Sequence, residues 1–259
     1  MMIRNATSSD KTIVLKFCKD TFSWGDYIDQ VWDFWLSEDH LFLFEKQFPV
    51  GICHAFYTKD QIWIEGIRID PNFRKQKIAS ELVKHAELIG KKKNVPFSYM
   101  LIDTENTSSI SMANSLDYDV FQTWNFYSLM PKQNSNYDVS FEKSLNRSLY
   151  SQYVKSWRWF SINDITLSTF YEKNKIIKSN VDGNESIAIL TDSEHFDKTL
   201  IVTLFSGSQN TDLQIIAFLQ NYGKEKNYER IQILTKEQLP VFDSLEHRIS
   251  FHLMKKSLL

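Results

Sequence analysis

Gln61-Ile62-Trp63-Ile64-Glu65-Gly66-Ile67-Arg68-Ile69-Asp70, then Pro71-Asn72-Phe73-Arg74-Lys75-Gln76-Lys77, then Ile78-Ala79-Ser80, is the stretch that decides the fold. Its first ten residues alternate as a strand does, with Ile62 and Ile64 on one face. After Gly66 the apolar residues are Ile67 and Ile69, so the alternation changes phase. A glycine at such a change marks a bulge or a splayed strand. Residues 71–77 form a polar loop. Residues 78–93 are an amphipathic helix, with Ile78, Leu82, Val83, Ala86 and Ile89 on one face. Lys91, Lys92 and Lys93 suit the negative end of its dipole. The first amides of a helix lack intrahelical partners, and the dipole is positive there. Arg74, Lys75 and Lys77 add three positive charges at that point, so the loop reads as an anion cradle fit for a pyrophosphate. The competing reading is a solvated basic loop that only caps a helix.

Working outward, residues 2–5 read as a strand, and Thr7, Ser8, Ser9 and Asp10 are cap candidates for a helix carrying Ile13, Val14, Phe17 and Cys18. A second helix is expected over 26–37. Residues 41–45 and 50–57 read as a hairpin, 97–102 as a strand, 108–116 as a helix and 120–129 as a strand. Residues 131–147 are polar and open on Pro131, which predicts a linker. Beyond it, 186–191 and 200–205 read as strands, 211–226 as a helix and 231–234 as a strand. A short helix at 241–247 and a strand at 249–254 follow. This order parallels 41–129, as a diverged duplication would. The expected domains are therefore 1–130, the linker 131–147, and 148–259.

The chain has 259 residues, enough for one large or two modest domains. Its 30 Lys+Arg against 32 Asp+Glu give a net charge of −2, which argues against a large nucleic-acid footprint. Two cysteines, Cys18 and Cys53, cannot build a disulfide framework and read as buried thiols of a reducing compartment. No apolar run approaches the ~20 residues that cross a bilayer, and residues 1–14 lack the apolar core of a signal peptide. A cytoplasmic protein with no membrane partner is expected. The six histidines, at 40, 54, 85, 195, 247 and 252, show neither HxH nor HxxxH spacing, so no metal is expected.

The stretch Ile67-Arg68-Ile69-Asp70-Pro71-Asn72-Phe73-Arg74-Lys75-Gln76-Lys77-Ile78-Ala79 resembles the acetyl-CoA motif of the GCN5-related N-acetyltransferases. That motif is a strand, a proline, then Arg/Gln-x-x-Gly-x-Gly/Ala opening a helix. Arg74 and Ala79 match its first and last positions, and Lys77 replaces the middle glycine. If the backbone there has a positive φ, Lys77 carries strain of about 1 kcal/mol. A second anchor is Asn106, followed by Ser109, Ile110 and Met112, which matches the family's Asn-x-x-Ala-Ile-x-Leu run.

The resemblance covers about residues 1–130. It implies a mixed α/β (α+β) fold with a mostly antiparallel sheet flanked by helices, in two tandem domains of which the second is degenerate. It implies transfer of an acetyl group from acetyl-CoA to a primary amine of a small molecule or amino acid, in a monomer or homodimer. The pantetheine would pair with the backbone of Ile67, Arg68 and Ile69. The pyrophosphate would lie on Arg74, Lys75, Gln76, Lys77, Ile78, Ala79 and Ser80, with Asn106 and Ser109 beside the arm. Glu65 stands where several members place a general base, and Trp63 and Ile64 could desolvate it; an ion-paired strand-edge carboxylate is the alternative.

The acceptor is expected over residues 22–37, with Trp24, Tyr27 and Trp35 lining it. Phe22, Trp32, Phe34, Asp26, Asp29 and Asp33 lie nearby, and this mix suits a cationic amine, although a core-facing helix would carry the same residues. Arg68 could hold a substrate carboxylate. The family's acid tyrosine is Ala113 here; Tyr118 and Tyr127 are the nearest tyrosines. The counterpart loop, Ser206-Gly207-Ser208-Gln209-Asn210-Thr211, lacks the motif, and Asp212 would repel a pyrophosphate. A non-catalytic acyl-CoA-binding or sensor protein of the same fold is the alternative activity.

Overall fold

A computed structural model describes residues 2–19, 21, 25–145 and 150–259. The chain divides into two compact units, residues 1–122 with 252–259, and residues 123–251. Both are mixed α/β.

The first unit contains β1 (Met2–Asn5), α1 (Lys11–Cys18), α2 (Ile28–Ser37), β2 (Leu41–Glu45), β3 (Pro49–Tyr57), β4 (Gln61–Ile69), α3 (Ile78–Lys92), β5 (Phe97–Asp103) and α4 (Thr107–Asn114). The next strand, β6 (Asp119–Leu129), starts in this unit and continues into the other. The sheet runs β1-β2-β3-β4-β5. Every neighbouring pair is antiparallel except β4 and β5, which are parallel because α3 crosses between them. Ile78, Leu82, Val83 and Ala86 of α3 are buried with Phe42, Phe44, Ile62 and Ile64 of the strands, as their spacing requires.

The second unit contains β7 (Ser140–Phe141), β8 (Gln152–Lys155), β9 (Arg158–Ser161), α5 (Asp164–Glu172), β10 (Ile176–Val181), β11 (Asn184–Asp192), β12 (Thr199–Phe205), α6 (Gln209–Glu225) and β13 (Arg230–Thr235). Its sheet runs β7-β10-β11-β12-β13-β6. Only β12 and β13 are parallel, and α6 crosses between them. Strand, helix and parallel partner thus recur in the order of the first unit. The last strand, β14 (Leu245–Ser257), begins in this unit and ends in the first, beside β5.

The units divide differently from the expected domains. Residues 252–259 belong to the first unit because their side chains are part of its core. Met254 and Leu258 are buried there. Lys256 Nζ lies 2.8 Å from the buried Glu87, and Leu258 N–H donates to Pro96 O at 2.8 Å. Of the expected linker at 131–147, residues 137–141 pack on the second unit, and 146–147 lie outside the described residues. Phe141 pairs with Ile177 of β10, Tyr137 meets Phe218 edge-on at 5.3 Å, and Asp138 N–H donates to Gln214 at 2.7 Å. Its apolar residues, spaced among polar ones, are what anchor it.

The expected helix at 241–247 is absent. Pro240 precedes it, Ser244 sits at φ 63°, and β14 starts at Leu245. Residues 150–181, for which the sequence suggested no element, hold β8, β9, α5 and β10. The β8–β9 hairpin turns through Ser156 (φ 51°) and Trp157 (φ 63°), so the usual Asn-Gly signal is missing.

Candidate active site

The site grows from one irregularity in β4. Along β3 and β4, Tyr57↔Ile62 through His54↔Glu65 pair in register, and pairing resumes at Ile52↔Arg68. Gly66 and Ile67 therefore oppose Cys53 alone, a bulge with its glycine at φ +65°. On the other edge, β4 pairs with β5 only from Gln61↔Phe97 to Ile64↔Met100. Past Ile64 the two parallel strands separate, although β4 runs on to Ile69 and β5 to Asp103. The phase change read at Gly66 is this bulge, and the β4–β5 ladder ends ahead of residues 65–69. In the second unit β12 pairs with β13 over all six residues from Thr199↔Arg230 to Leu204↔Thr235, with no such gap.

Beyond β4, Asp70 accepts from Asn72 N–H at 2.9 Å and closes a short turn. Arg74 Nε donates back to Ile69 O at 3.3 Å. Lys75 and Lys77 have φ of 60° and 61°, and Lys77 is the N-cap of α3. The middle-glycine position does need a left-handed backbone, and lysine supplies it under strain. Lys75 repeats that strain, which spacing alone does not reveal. Arg74, Lys75, Gln76 and Lys77 are exposed, whereas Ile78 is buried and Ala79 and Ser80 are half-buried. Lys46, on the turn after β2, donates to Gln76 Oε1 at 2.6 Å. We expect Lys77→Gly to raise the stability of the ligand-free protein by up to about 1 kcal/mol in urea unfolding, because glycine adopts this φ freely. A loss of stability would mean that the lysine side chain holds the loop.

The other anchor, Asn106, caps α4, its Oδ1 accepting from Ser109 N–H at 3.1 Å and Ser108 Oγ at 3.0 Å. The resemblance gives it a pantetheine contact; the fold already uses its carbonyl oxygen.

Glu65 is half-buried and opposite His54 in the β3–β4 register, with His54 Nδ1 2.9 Å from Glu65 Oε1. His54 is fully buried, and its Nε2 lies 3.6 Å from Glu38 Oε2. Glu38, His54 and Glu65 each place one ligand-type atom within 4.8 Å of the others. The sequence expectation of no metal rested on local histidine spacing and did not foresee this donor set. The 2.9 Å contact is a hydrogen-bond length, and the three residues come from α2's end, β3 and β4, so no local motif could announce them.

The expected acceptor residues are placed differently. Arg68 forms a fork on Asp26, Nε to Oδ2 at 2.6 Å and Nη2 to Oδ1 at 3.2 Å, and lies over the Tyr27 ring at 5.3 Å. An internal carboxylate thus fills the role expected of a substrate carboxylate. Asp29 and Asp33 pair with Lys11 at 3.0 and 3.3 Å. Trp32 and Trp35 are buried, and Trp35 stacks on His54 with centroids 4.8 Å and planes 4° apart. The aromatic face of α2 is therefore mainly core, with Tyr27 and Phe34 half-buried. Phe22 and Trp24 lie outside the described residues. Ala113 is buried in α4. Tyr118 is buried with its hydroxyl 2.6 Å from Ser98 Oγ, and burial pushes its pKa well up. Tyr127 belongs to the second unit, where its hydroxyl accepts from Leu239 N–H at 3.0 Å. Burial also raises the pKa of Cys18, to about 12.

The start of α6 is built to other ends. Ser208 and Thr211 form a capping box there. Asp212 is buried, accepts from Ser186 Oγ at 2.7 Å and Ser206 Oγ at 2.6 Å, and is raised in pKa by burial. A Cβ on Gly207 would lie 2.0 Å from Glu185 O, so the preceding backbone closes on the loop. Among the described residues, no basic side chain stands at residues 206–211. No helix is long and apolar enough to cross a membrane, again among the described residues.

Comparison with known proteins accords with this geometry. The acetyltransferase (GNAT) family matches residues 10–118. No curated protein matches the sequence. Among solved structures, a proposed acetyltransferase from Thermoplasma acidophilum is 12% identical over 99% of this chain and 100% of its own, with a TM-score of 0.65. A GCN5-related N-acetyltransferase from Sphaerobacter thermophilus is 8% identical, covers 99% and 95%, and has a TM-score of 0.64. A third, a proposed acetyltransferase from Pyrococcus horikoshii, is 15% identical over 99% and 89%, with a TM-score of 0.57. At these identities the likeness is one of fold, and it extends over both units. The chain is thus similar, over residues 10–118, to the acetyltransferase (GNAT) family, and it shares the fold of these acetyltransferase structures.

Proposed function

We propose that the first unit transfers an acetyl group from acetyl-CoA to a primary amine by direct attack in a ternary complex. One observation carries this reading: the β4–β5 pairing stops at Ile64↔Met100 just before a basic loop that opens α3. Past the last β4–β5 pair, the edge of β4 at Ile67, Arg68 and Ile69 offers hydrogen bonds to the two amides of a pantetheine arm. The amides at the start of α3, with Arg74, Lys75 and Lys77, offer charge and donors to the pyrophosphate. Asn106 and Ser109 flank the arm. Glu65, at the break, takes the proton that an ammonium must lose before its nitrogen can attack the thioester. The leaving thiolate departs without a tyrosine at position 113, which its modest basicity allows. The second unit binds no acyl-CoA in this reading, since α6 has neither the strand break nor the basic loop.

Ala113, where the resembled family has its acid, favours a second reading, a non-catalytic acyl-CoA sensor. Thermal unfolding with acetyl-CoA, then thiol release with a panel of amines, separates the two. Ligand at 100 times its dissociation constant stabilises by about 2.7 kcal/mol. We expect that stabilisation to disappear in Arg74→Ala while the melting temperature without ligand stays unchanged, since Arg74 is exposed. Stabilisation without amine-dependent thiol release would favour the sensor. No stabilisation at all would remove both.

A further inference from the structure

His54 has no part in the reaction described above, yet it is a buried polar side chain beside the strand break. It is fully buried and stands directly across from Glu65, so both side chains leave the sheet on one face. Trp35 lies flat on the imidazole, with planes 4° apart, and prevents the ring from turning. Trp35 is fixed in its turn, because its six-membered ring fills the space that a Cβ on Gly66 would occupy, 2.4 Å away. Nε2 makes no hydrogen bond and faces Glu38 at 3.6 Å, so Nδ1 is the ring's bonding nitrogen. In the base reading Glu65 is ionised, and an ionised carboxylate can only accept, so the 2.9 Å contact then calls for a proton on Nδ1.

We propose that His54 is the positioning residue for Glu65: its Nδ1–H holds Oε1 and so sets the plane of the carboxylate at the break in β4. The proposal rests on the reading of Glu65 as the base. Glu65 catalyses; His54 acts through it. Side chains that orient a reacting group in this way typically change activity by about 10–100-fold.

Two measurements on the full chain test it. The first is the proton location on His54, read from ¹⁵N-histidine NMR and assigned by the signal lost in His54→Asn. A protonated Nδ1 is expected; a bare Nδ1 overturns the proposal, whichever amine the enzyme takes. The second is thiol release from acetyl-CoA with free L-amino acids and polyamines as acceptors. His54→Leu is expected to lower kcat about 10–100-fold with KM for acetyl-CoA unchanged, and His54→Asn, which keeps a donor near Nδ1, to restore it to within about threefold. In a Glu65→Gln background, His54→Leu should cost nothing further. Equal losses in both backgrounds would make His54 merely structural and overturn the proposal. Full activity of Glu65→Gln itself would instead remove the base reading and, with it, the role assigned to His54.

Discussion

Glu65→Gln is expected to lower kcat by about a hundredfold to ten-thousandfold at neutral pH, the range for a lost general base. A primary amine with a pKa near 10.4 is neutral in fewer than about one molecule per thousand at pH 7. The reaction then depends on a group that removes the proton in place. As pH rises toward the pKa of the amine, the neutral fraction grows without help, and the deficit of the variant shrinks. Glutamine preserves shape and can still take a hydrogen bond from His54 through its carbonyl, so the fold is not the cause of the loss. Rate profiles of both proteins over the same pH range check this. A deficit that stays constant with pH, or no deficit, would remove Glu65 as base and leave it as a partner of His54.

Gly66→Ala is expected to destabilise the first unit by about 2–5 kcal/mol. Two costs combine. The backbone at φ +65° costs an L-residue about 1–2 kcal/mol. The new methyl would lie 2.4 Å from buried Trp35, and overpacking of this kind costs about 1–3 kcal/mol. Trp35→Leu withdraws the clashing ring, so the double variant should be less destabilised than the two single losses added together. Additive losses in urea unfolding would show that the strain lies in the backbone alone. Gly66 also shapes the site, since the bulge carries Glu65 on one side and Arg68 on the other. Acetyl-CoA affinity should fall with stability in this variant, in contrast to Arg74→Ala, where affinity falls alone.

The comparison of the two units shows what makes one of them a candidate enzyme. Both have a parallel strand pair bridged by a helix, and each helix starts beside a polar loop. In the first unit the strand before the helix is bulged and parts from its neighbour, and the loop is basic. In the second the strand is regular, the pair is zipped to its end, and the loop is closed by Ser208, Thr211 and the buried Asp212. On the proposed function, a common plan would leave acyl-carrier chemistry to one unit, and the structural difference lies in a few residues around Gly66 and Lys77.

Much of this was legible in advance because it is local. The phase change at Gly66, the basic loop, the helical face from Ile78 to Ala86 and the missing motif before α6 are each carried by residues within about one turn or one strand of one another, where periodicity and caps act. What stayed open in the sequence has another cause. Arg68 was open to a substrate until Asp26, 42 residues earlier, took its fork. The aromatic face of α2 read equally well as pocket or core until Trp35 was stacked on His54. The turn at Ser156-Trp157 has a left-handed backbone without glycine or asparagine, so its sequence gives no sign.

By itself, then, the sequence determined the bulged strand, basic loop and helix of the first unit, the recurrence of a strand–helix–strand order without the bulge or the basic loop, and the positive charge at the start of α3, because each depends on backbone sterics and side-chain period over short range. Only the tertiary structure decided that Glu65 is held by His54 with Glu38 behind it, that Arg68 is internally neutralised, and that residues 252–259 complete the first unit. Those outcomes depend on strand register and on contacts between residues far apart in the chain, where one step of slippage would turn every side chain to the opposite face.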